Sequence, residues 1–333
     1  MDTGSNGVSK NILVTGGAGY IGSHCCKILA KRGFVPIVYD NLCRGHQSFV
    51  RWGPFEYGDI LDSQRLTEVI LKYRPAAVIH FAGLAYVGES MIDPAPYFRC
   101  NVSGSLVLLE VLRTCGVSNL IFSSSCATYG VPAIVPIPES HPQHPINPYG
   151  STKMIVEQAI REFGRAYGLR YVILRYFNAA GADSDGEVGE SHTPETHLIP
   201  LVLMAAKGKV QEVSIFGGDY DTPDGTCVRD FIHVSDLAEA HAVAVEALMA
   251  GHGGGVFNVG TGMGHSVLEV LDAARVITQR SIAVKVCSRR EGDPPMLVAD
   301  SSRIRAALQW QPTRSSLSSV LESAWKWTNF SST

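Results

Sequence analysis

The stretch Asn11–His24, NILVTGGAGYIGSH, decides the fold. Asn11–Thr15 is a short apolar run that stops at glycine, and it reads as a buried strand. Glycines follow at 16, 19 and 22, and a helical pattern then continues to about Arg32. The spacing G-x-x-G-x-x-G is a variant of the dinucleotide-binding turn. One glycine permits the tight turn, one lets backbone approach a pyrophosphate, and one lets the helix pack close to the strand. The helix that starts here offers free N–H groups and the positive end of its dipole to phosphates.

Outward from this turn, apolar runs alternate with helical patterns. Val35–Tyr39, Ala76–His80, Leu120–Ser123 and Tyr171–Leu174 read as further strands. Leu66–Tyr73, Gly104–Cys115 and Tyr149–Tyr167 read as the helices between them. Such alternation indicates βαβ units and a parallel sheet covered on both faces. After about Phe177 the pattern changes. Residues 178–195 are loop-like, Leu198–Ala206 and Val234–Met249 are helical, Val256–Val259 is a short strand, and a last helix ends near Trp327. The expected fold class is therefore α/β: a Rossmann-like doubly wound parallel sheet with a smaller C-terminal substrate-binding α/β domain. Residues 1–177 form the dinucleotide-binding part and residues 178–333 mainly the other, with some segments after 228 packing back on the sheet.

Composition narrows the function classes. The chain has 333 residues, 18% of them charged, against about 25% in typical domains. Net charge is −3, and no block of five or six like charges occurs, so no nucleic-acid footprint is present. No apolar run approaches the roughly 18 residues of a membrane helix. The polar start, MDTGSNGVSK, leads into a strand-like run and not a signal sequence, so a cytoplasmic protein is expected. None of the eight cysteines forms a C-x-x-C pair or sits at zinc spacing, and no metal is expected.

Three further motifs carry chemistry. Asp40 closes the second strand, where a carboxylate accepts from both ribose hydroxyls of an adenosine and repels a 2′-phosphate, favouring NAD over NADP. A turn-forming Asp is the competing reading. Gly58-Asp59-Ile60 offers a short acceptor and an apolar face to an adenine, or alternatively a helix cap. Tyr149 and Lys153 lie at i,i+4 in PYGSTK, on one face of a helix begun by Pro148. A lysine ammonium one turn away, together with a cationic nicotinamide, would lower the tyrosine's ordinary pKa of about 10 towards a usable base. Ser123-Ser124-Ser125 ends a strand at the edge where parallel sheets bind ligands.

Together TGGAGYIGSH, YDNL, GDI, HFAGLAYVGES, SSSCATYG, NPYGSTK, LRYFNAAGA, DGTCVRDFIHV and RREGD resemble the extended short-chain dehydrogenase/reductase family, and within it the UDP-galactose 4-epimerases. The resemblance runs from about residue 10 to about residue 327. It implies that Tyr149 removes the sugar 4-hydroxyl proton, Ser125 assists, and Lys153 tunes Tyr149 and binds the nicotinamide ribose. It implies NAD as cofactor, held by Gly16, Gly19, Tyr20, Ile21, Gly22, Asp40, Asn41, Asp59, Ile60, Phe81, Ala82, Gly83, Tyr149, Lys153 and Phe177. It implies a UDP-sugar held by Ser125, Asn178, His197, Leu198, Phe216, Arg229, Arg290 and Asp293, and a homodimer as the assembly.

Three positions depart from the pattern. Ala85 stands where a cofactor-contacting Lys is common, Cys100 precedes Asn101 in place of an Asn-Asn pair, and His197 replaces an Asn before Leu198. The resemblance implies that side-chain size at Leu297 gates N-acetylated sugars, and with Leu of intermediate bulk poor use of UDP-N-acetylhexosamines is expected. UDP-pentoses are an alternative substrate. A 4,6-dehydratase would need an acid and a base beside the hydroxyl residue, where Cys126-Ala127 stand. A non-catalytic NAD binder would be expected to lack Tyr149 or Lys153.

Overall fold

The computed structural model describes residues 9–252 and 254–330. In chain order the elements are β1 (Asn11–Thr15), α1 (Tyr20–Lys31), β2 (Val35–Asp40), β3 (Phe55–Tyr57), α2 (Ser63–Tyr73), β4 (Ala77–His80), α3 (Val87–Ile92), α4 (Ala95–Tyr97), α5 (Gly104–Cys115), β5 (Asn119–Ser125), α6 (Pro148–Tyr167), β6 (Arg170–Tyr176) and β7 (Asn178–Ala180). Then follow α7 (Leu198–Ala206), β8 (Val213–Phe216), β9 (Val228–Arg229), β10 (Phe231–His233), α8 (Val234–Met249), β11 (Gly255–Val259), β12 (His265–Ser266), α9 (Val267–Thr278), β13 (Val284–Cys287), β14 (Met296–Leu297), α10 (Ser302–Leu308) and α11 (Leu317–Phe330).

Seven strands form one parallel sheet in the order β11-β6-β5-β4-β1-β2-β3. The chain leaves β1 towards β2 on one side and later crosses to β4 on the other. The sheet therefore has its switch point between β1 and β4, the crevice where such sheets bind ligands. Alternation along β1 explains why both faces are covered. Ile12 and Val14 join one apolar layer with Leu29 of α1 and Leu237, Val245 and Leu248 of α8. Leu13 joins the other, with Leu66 of α2, Leu108 and Leu112 of α5, and Val156 and Ile160 of α6.

The strand β11, far along the chain, completes the sheet beside β6. A separate apolar cluster joins α7, α9 and α11 through Val202, Leu203, Val270, Leu271, Val320 and Leu321. Local signals set the helix ends. Asn147 accepts from Gly150 N at 2.8 Å to cap α6, with Pro148 in its first turn. Ser266 and Glu269 form a reciprocal capping box on α9. Between α4 and α5 the chain makes one turn of wider π-type helix, Phe98–Ser103. That turn buries Asn101, which accepts from Leu84 N at 2.8 Å and donates to Leu84 O and Thr152 Oγ1 at 3.0 Å each. The loop after β4 is thereby fixed.

Candidate active site

The glycine turn lies at the carboxyl end of β1. Gly16 has φ +74°, and a Cβ there would stand 2.6 Å from Ala82 N. A Cβ on Gly22 would stand 2.3 Å from Gly16 O. Backbone packs on backbone at both positions, so only glycine fits. Gly19 precedes α1 with no side-chain cap, which leaves the first amides of the helix open to a ligand. Asp40 closes β2, and its carboxylate accepts from Ala18 N at 3.0 Å and Leu42 N at 2.8 Å. Burial raises its pKa, and these two amides oppose the rise. After β4, Phe81 N and Ala82 N both donate to Thr15 O, at 2.9 and 3.0 Å.

A cleft runs from this turn along the strand ends. It is lined by Gly16, Gly19, Tyr20, Ile21, Gly22, Asp40, Asn41, Ile60, Phe81, Ala82, Gly83 and Phe177, and farther on by Ser125, Tyr149, Asn178, His197, Arg229, Asp293 and Leu297. Ser125 ends β5 and shares the cleft wall with Tyr149, whose pKa it pulls down against burial. Its own oxygen also accepts from Ala127 N at 3.1 Å. Arg229 donates to Val228 O at 2.9 Å and lies 3.6 Å from Asp293.

Lys153 is placed one turn below Tyr149, but it does not line the cleft. Its ammonium donates to Ser123 O at 2.9 Å, rests 4.9 Å from the Phe122 ring, and lies 5.9 Å from the Tyr149 ring centre. Burial lowers its pKa to about 8. Burial, and then the neighbouring Tyr176, push Tyr149 well above its ordinary value, while the Ser125 hydrogen bond pulls the other way. Burial of the phenol is the largest of these causes.

Four other expected residues stand outside the cleft wall. Asp59 lies between two lining residues, but its carboxylate accepts from Asn41 Nδ2 at 2.8 Å and Leu61 N at 2.9 Å. Leu198, at the start of α7, packs against the cluster of α7, α9 and α11. Phe216 and Arg290 stack on one another, guanidinium to ring centre 4.2 Å, and are not among the lining residues. The cleft also contains residues not singled out from the sequence: Arg44, Tyr86, Tyr176, Glu190 and His192. The signal for His192 was present in H-T-P-E-T-H, residues 192–197, where paired histidines flank a glutamate.

His197 titrates far from its ordinary range. Burial works to lower its pKa, yet Glu190 and Glu195 together raise it to about 10. At neutral pH it is an imidazolium, a donor suited to an anionic ligand.

Residues 12–260 match the NAD dependent epimerase/dehydratase family. A Rhizobium meliloti (strain 1021) protein described as UDP-glucose 4-epimerase is 53% identical over 319 residues, covering 96% of this chain and 97% of its own. The crystal structure of UDP-glucose 4-epimerase from Brucella ovis in complex with NAD aligns with a TM-score of 0.93 and 54% identity, covering 95% of this chain and 97% of that one. The enzyme from Bifidobacterium longum in complex with NAD+ and UDP aligns at 0.92 and 36% identity, covering 96% of this chain and 98% of that one. With the match extending over most of its length, this chain belongs to the NAD dependent epimerase/dehydratase family.

Proposed function

We propose that the protein is an NAD-dependent C4 epimerase that interconverts UDP-glucose and UDP-galactose. The observation that carries this reading is one cleft that holds Ser125 and Tyr149 together, between the glycine turn at one end and Arg229 and His197 at the other. The residues present fit NAD. Side chains are missing where backbone must approach a pyrophosphate, at Gly16, Gly19 and Gly22, and the helix behind them has an open N-terminus. Asp40 stands at the end of β2, where ribose hydroxyls would be received. NAD, when bound, supplies the acceptor and donor of the hydride exchanged with sugar C4.

The chain's own residues handle the proton and the orientation. Tyr149 Oη takes the proton of the 4-hydroxyl as the sugar is oxidised to its 4-keto form, and returns it afterwards. Ser125 bridges that hydroxyl and Tyr149. Lys153 keeps a positive charge beneath the pair at neutral pH. Arg229 and His197 supply positive charge for a nucleoside diphosphate, Arg through its planar fork. Leu297 and Asn178 bound the sugar end.

An NMR assay with UDP-glucose, UDP-galactose, UDP-xylose, UDP-arabinose and the two UDP-N-acetylhexosamines tests the reading. The hexose pair is expected to give the highest kcat/KM and the N-acetylated pair the lowest. Dominant pentose turnover would move the assignment to a UDP-pentose epimerase, and no scrambling of C4 would remove it.

We infer a homodimer and a cytoplasmic setting. Leu106 on α5 and Tyr167 on α6 are 42% and 59% exposed, an apolar face suited to a second copy. All eight cysteines are unpaired, as suits a reducing compartment. No helix among the described residues is long and apolar enough to cross a membrane. Light scattering on the purified protein and fractionation of its host cells check the two points.

A further inference from the structure

Three segments far apart in the chain line the cleft: residues 43–45 after β2, residues 84–87 after β4, and Glu190 and His192 before α7. One side chain joins all three. Arg44 Nη1 donates to Thr193 O at 2.9 Å, and Nη2 donates to Glu89 Oε1 at 2.9 Å and Oε2 at 3.2 Å. The guanidinium carbon lies 5.0 Å from the Tyr86 ring centre, within cation–π range. A planar fork suits this junction, because its N–H groups point in fixed and divergent directions.

Each piece that Arg44 joins is anchored from behind. His46 N donates to Ala18 O at 2.9 Å, and a Cβ on Gly45 would stand 3.0 Å from the Ala18 carbonyl carbon, so the segment that carries Arg44 rests on the glycine turn. Tyr97 Oη lies 2.8 Å from Tyr86 O and 2.9 Å from Glu89 Oε2, which holds the start of α3. Trp327 Nε1 of α11 donates to Glu190 O at 2.9 Å, and His46 Nε2 lies 2.7 Å from Ser191 O. The link itself is less secure, with the Arg44 and Glu89 side chains 35% and 42% exposed. Anchored pieces joined by a partly exposed ion pair form a joint that opens without unfolding what it joins.

We propose that Arg44 is a latch on the cleft. It ties the segment resting on the glycine turn to α3 and to Thr193, and NAD enters or leaves only when it lets go. The inference rests on the NAD reading of the cleft and is independent of which sugar is turned over. Retention matters to the proposed chemistry, because a cofactor lost between the two hydride transfers would strand an oxidised sugar. Ala85 offers no charge with which to grip the cofactor, so holding it falls to closure of the cleft.

Protein loaded with radiolabelled NAD is chased with excess unlabelled NAD and desalted at intervals, which reads the release rate, and equilibrium dialysis reads Kd. A latch opposes entry and exit alike, so removing it changes the rates more than their ratio. Arg44→Ala is expected to speed release at least about tenfold, the worth of one charge-assisted hydrogen bond, with Kd unchanged within about threefold. Glu89→Gln keeps the shape but breaks the ion pair. It is expected to speed release less, and to add nothing to Arg44→Ala, because the two residues form one link. Arg51→Ala removes a 3.2 Å bond from the same β2–β3 connection to Glu187 O; Arg51 is not among the lining residues, and release is expected to stay as in the parent. Circular dichroism melts confirm that the variants are folded. Release from Arg44→Ala as slow as from the parent overturns the latch. So does a Kd that rises in step with the release rate, the mark of a direct contact, and so does equal acceleration by Arg51→Ala, the mark of general loosening. A parent chain that binds no NAD overturns the cofactor reading and the latch together.

Discussion

Lys153 and Glu157 sit one turn apart on α6, 5% and 0% exposed, and the fold treats them in opposite ways. The Glu157 carboxylate is saturated. It accepts from Ser124 Oγ at 2.6 Å, Arg175 Nε and Nη2 at 2.9 and 2.6 Å, Arg161 Nη2 at 2.7 Å and Gln143 Nε2 at 3.1 Å. Against burial, the arginines and the Ser124 hydroxyl hold its pKa below the usual carboxylate value. Lys153 has one carbonyl and an aromatic ring, and burial drags its pKa to about 8. A buried charge with every partner in place is scaffold. A buried charge left short of partners is poised for chemistry.

The sharpest way to break this contrast is at the group Lys153 serves. Tyr149→Phe is expected to cut kcat about 10⁴-fold, the upper range for loss of a positioned proton-transfer group, with NAD still bound. Turnover within tenfold of the parent enzyme would take the base role away from Tyr149. Next comes the scaffold. Glu157→Gln leaves Arg175 buried with a neutral partner and is expected to cost about 3–5 kcal/mol in a urea melt, with kcat of the folded fraction little changed.

The pH dependence of stability separates the two residues further. The Glu157 pKa is depressed on folding, so its contribution is present above the ordinary value of 4.5 and fades as pH falls below it. Glu157→Gln is expected to flatten that acid limb. Lys153 runs the other way. Its depressed pKa is a cost at neutral pH that is relieved as pH rises from about 8 to 10.5. Lys153→Met is therefore expected to melt at higher temperature than the parent at pH 7, with the gap closing by pH 10.5, while kcat falls about 10²–10³-fold. A Met variant both slower and less stable at pH 7 would mark Lys153 as scaffold too. Ser125→Ala is the mildest case, expected to cost about tenfold in kcat, near the worth of one hydrogen bond.

The contrast also explains what was legible in the sequence. The turn at Gly16, Gly19 and Gly22 and the pair Tyr149/Lys153 are local patterns, because spacing alone fixes which atoms share a face. Strand and helix periods placed α5, α7 and α8 to the residue. Helix α9 went unread although its capping box, Ser266 to Glu269, is local, and the π-type turn at Phe98–Ser103 has no periodic signature. Apart from Arg161 one turn on, the partners of Glu157 come from β5, β6 and the segment before α6, which no local pattern connects. Resemblance supplied Phe216, Arg290 and Leu198 as substrate residues, yet it carried no information on where their side chains rest in this chain. His192 and Glu190 escaped notice because their meaning lies in convergence, with one another and with Tyr86 from a distant loop.

Strand β11 closes the sheet only after residues 178–254 have been made, and this constrains how the protein is born. A nascent chain that ends near residue 177 exposes β6 as a bare edge, together with the face of α1 that α8 will cover. Such an edge is a template for pairing with other chains. The dinucleotide-binding half therefore does not mature on its own during synthesis, and a ribosome that stalls between residues 177 and 255 releases a fragment prone to aggregate. The late return of the chain ties the quality of the first half to delivery of the second.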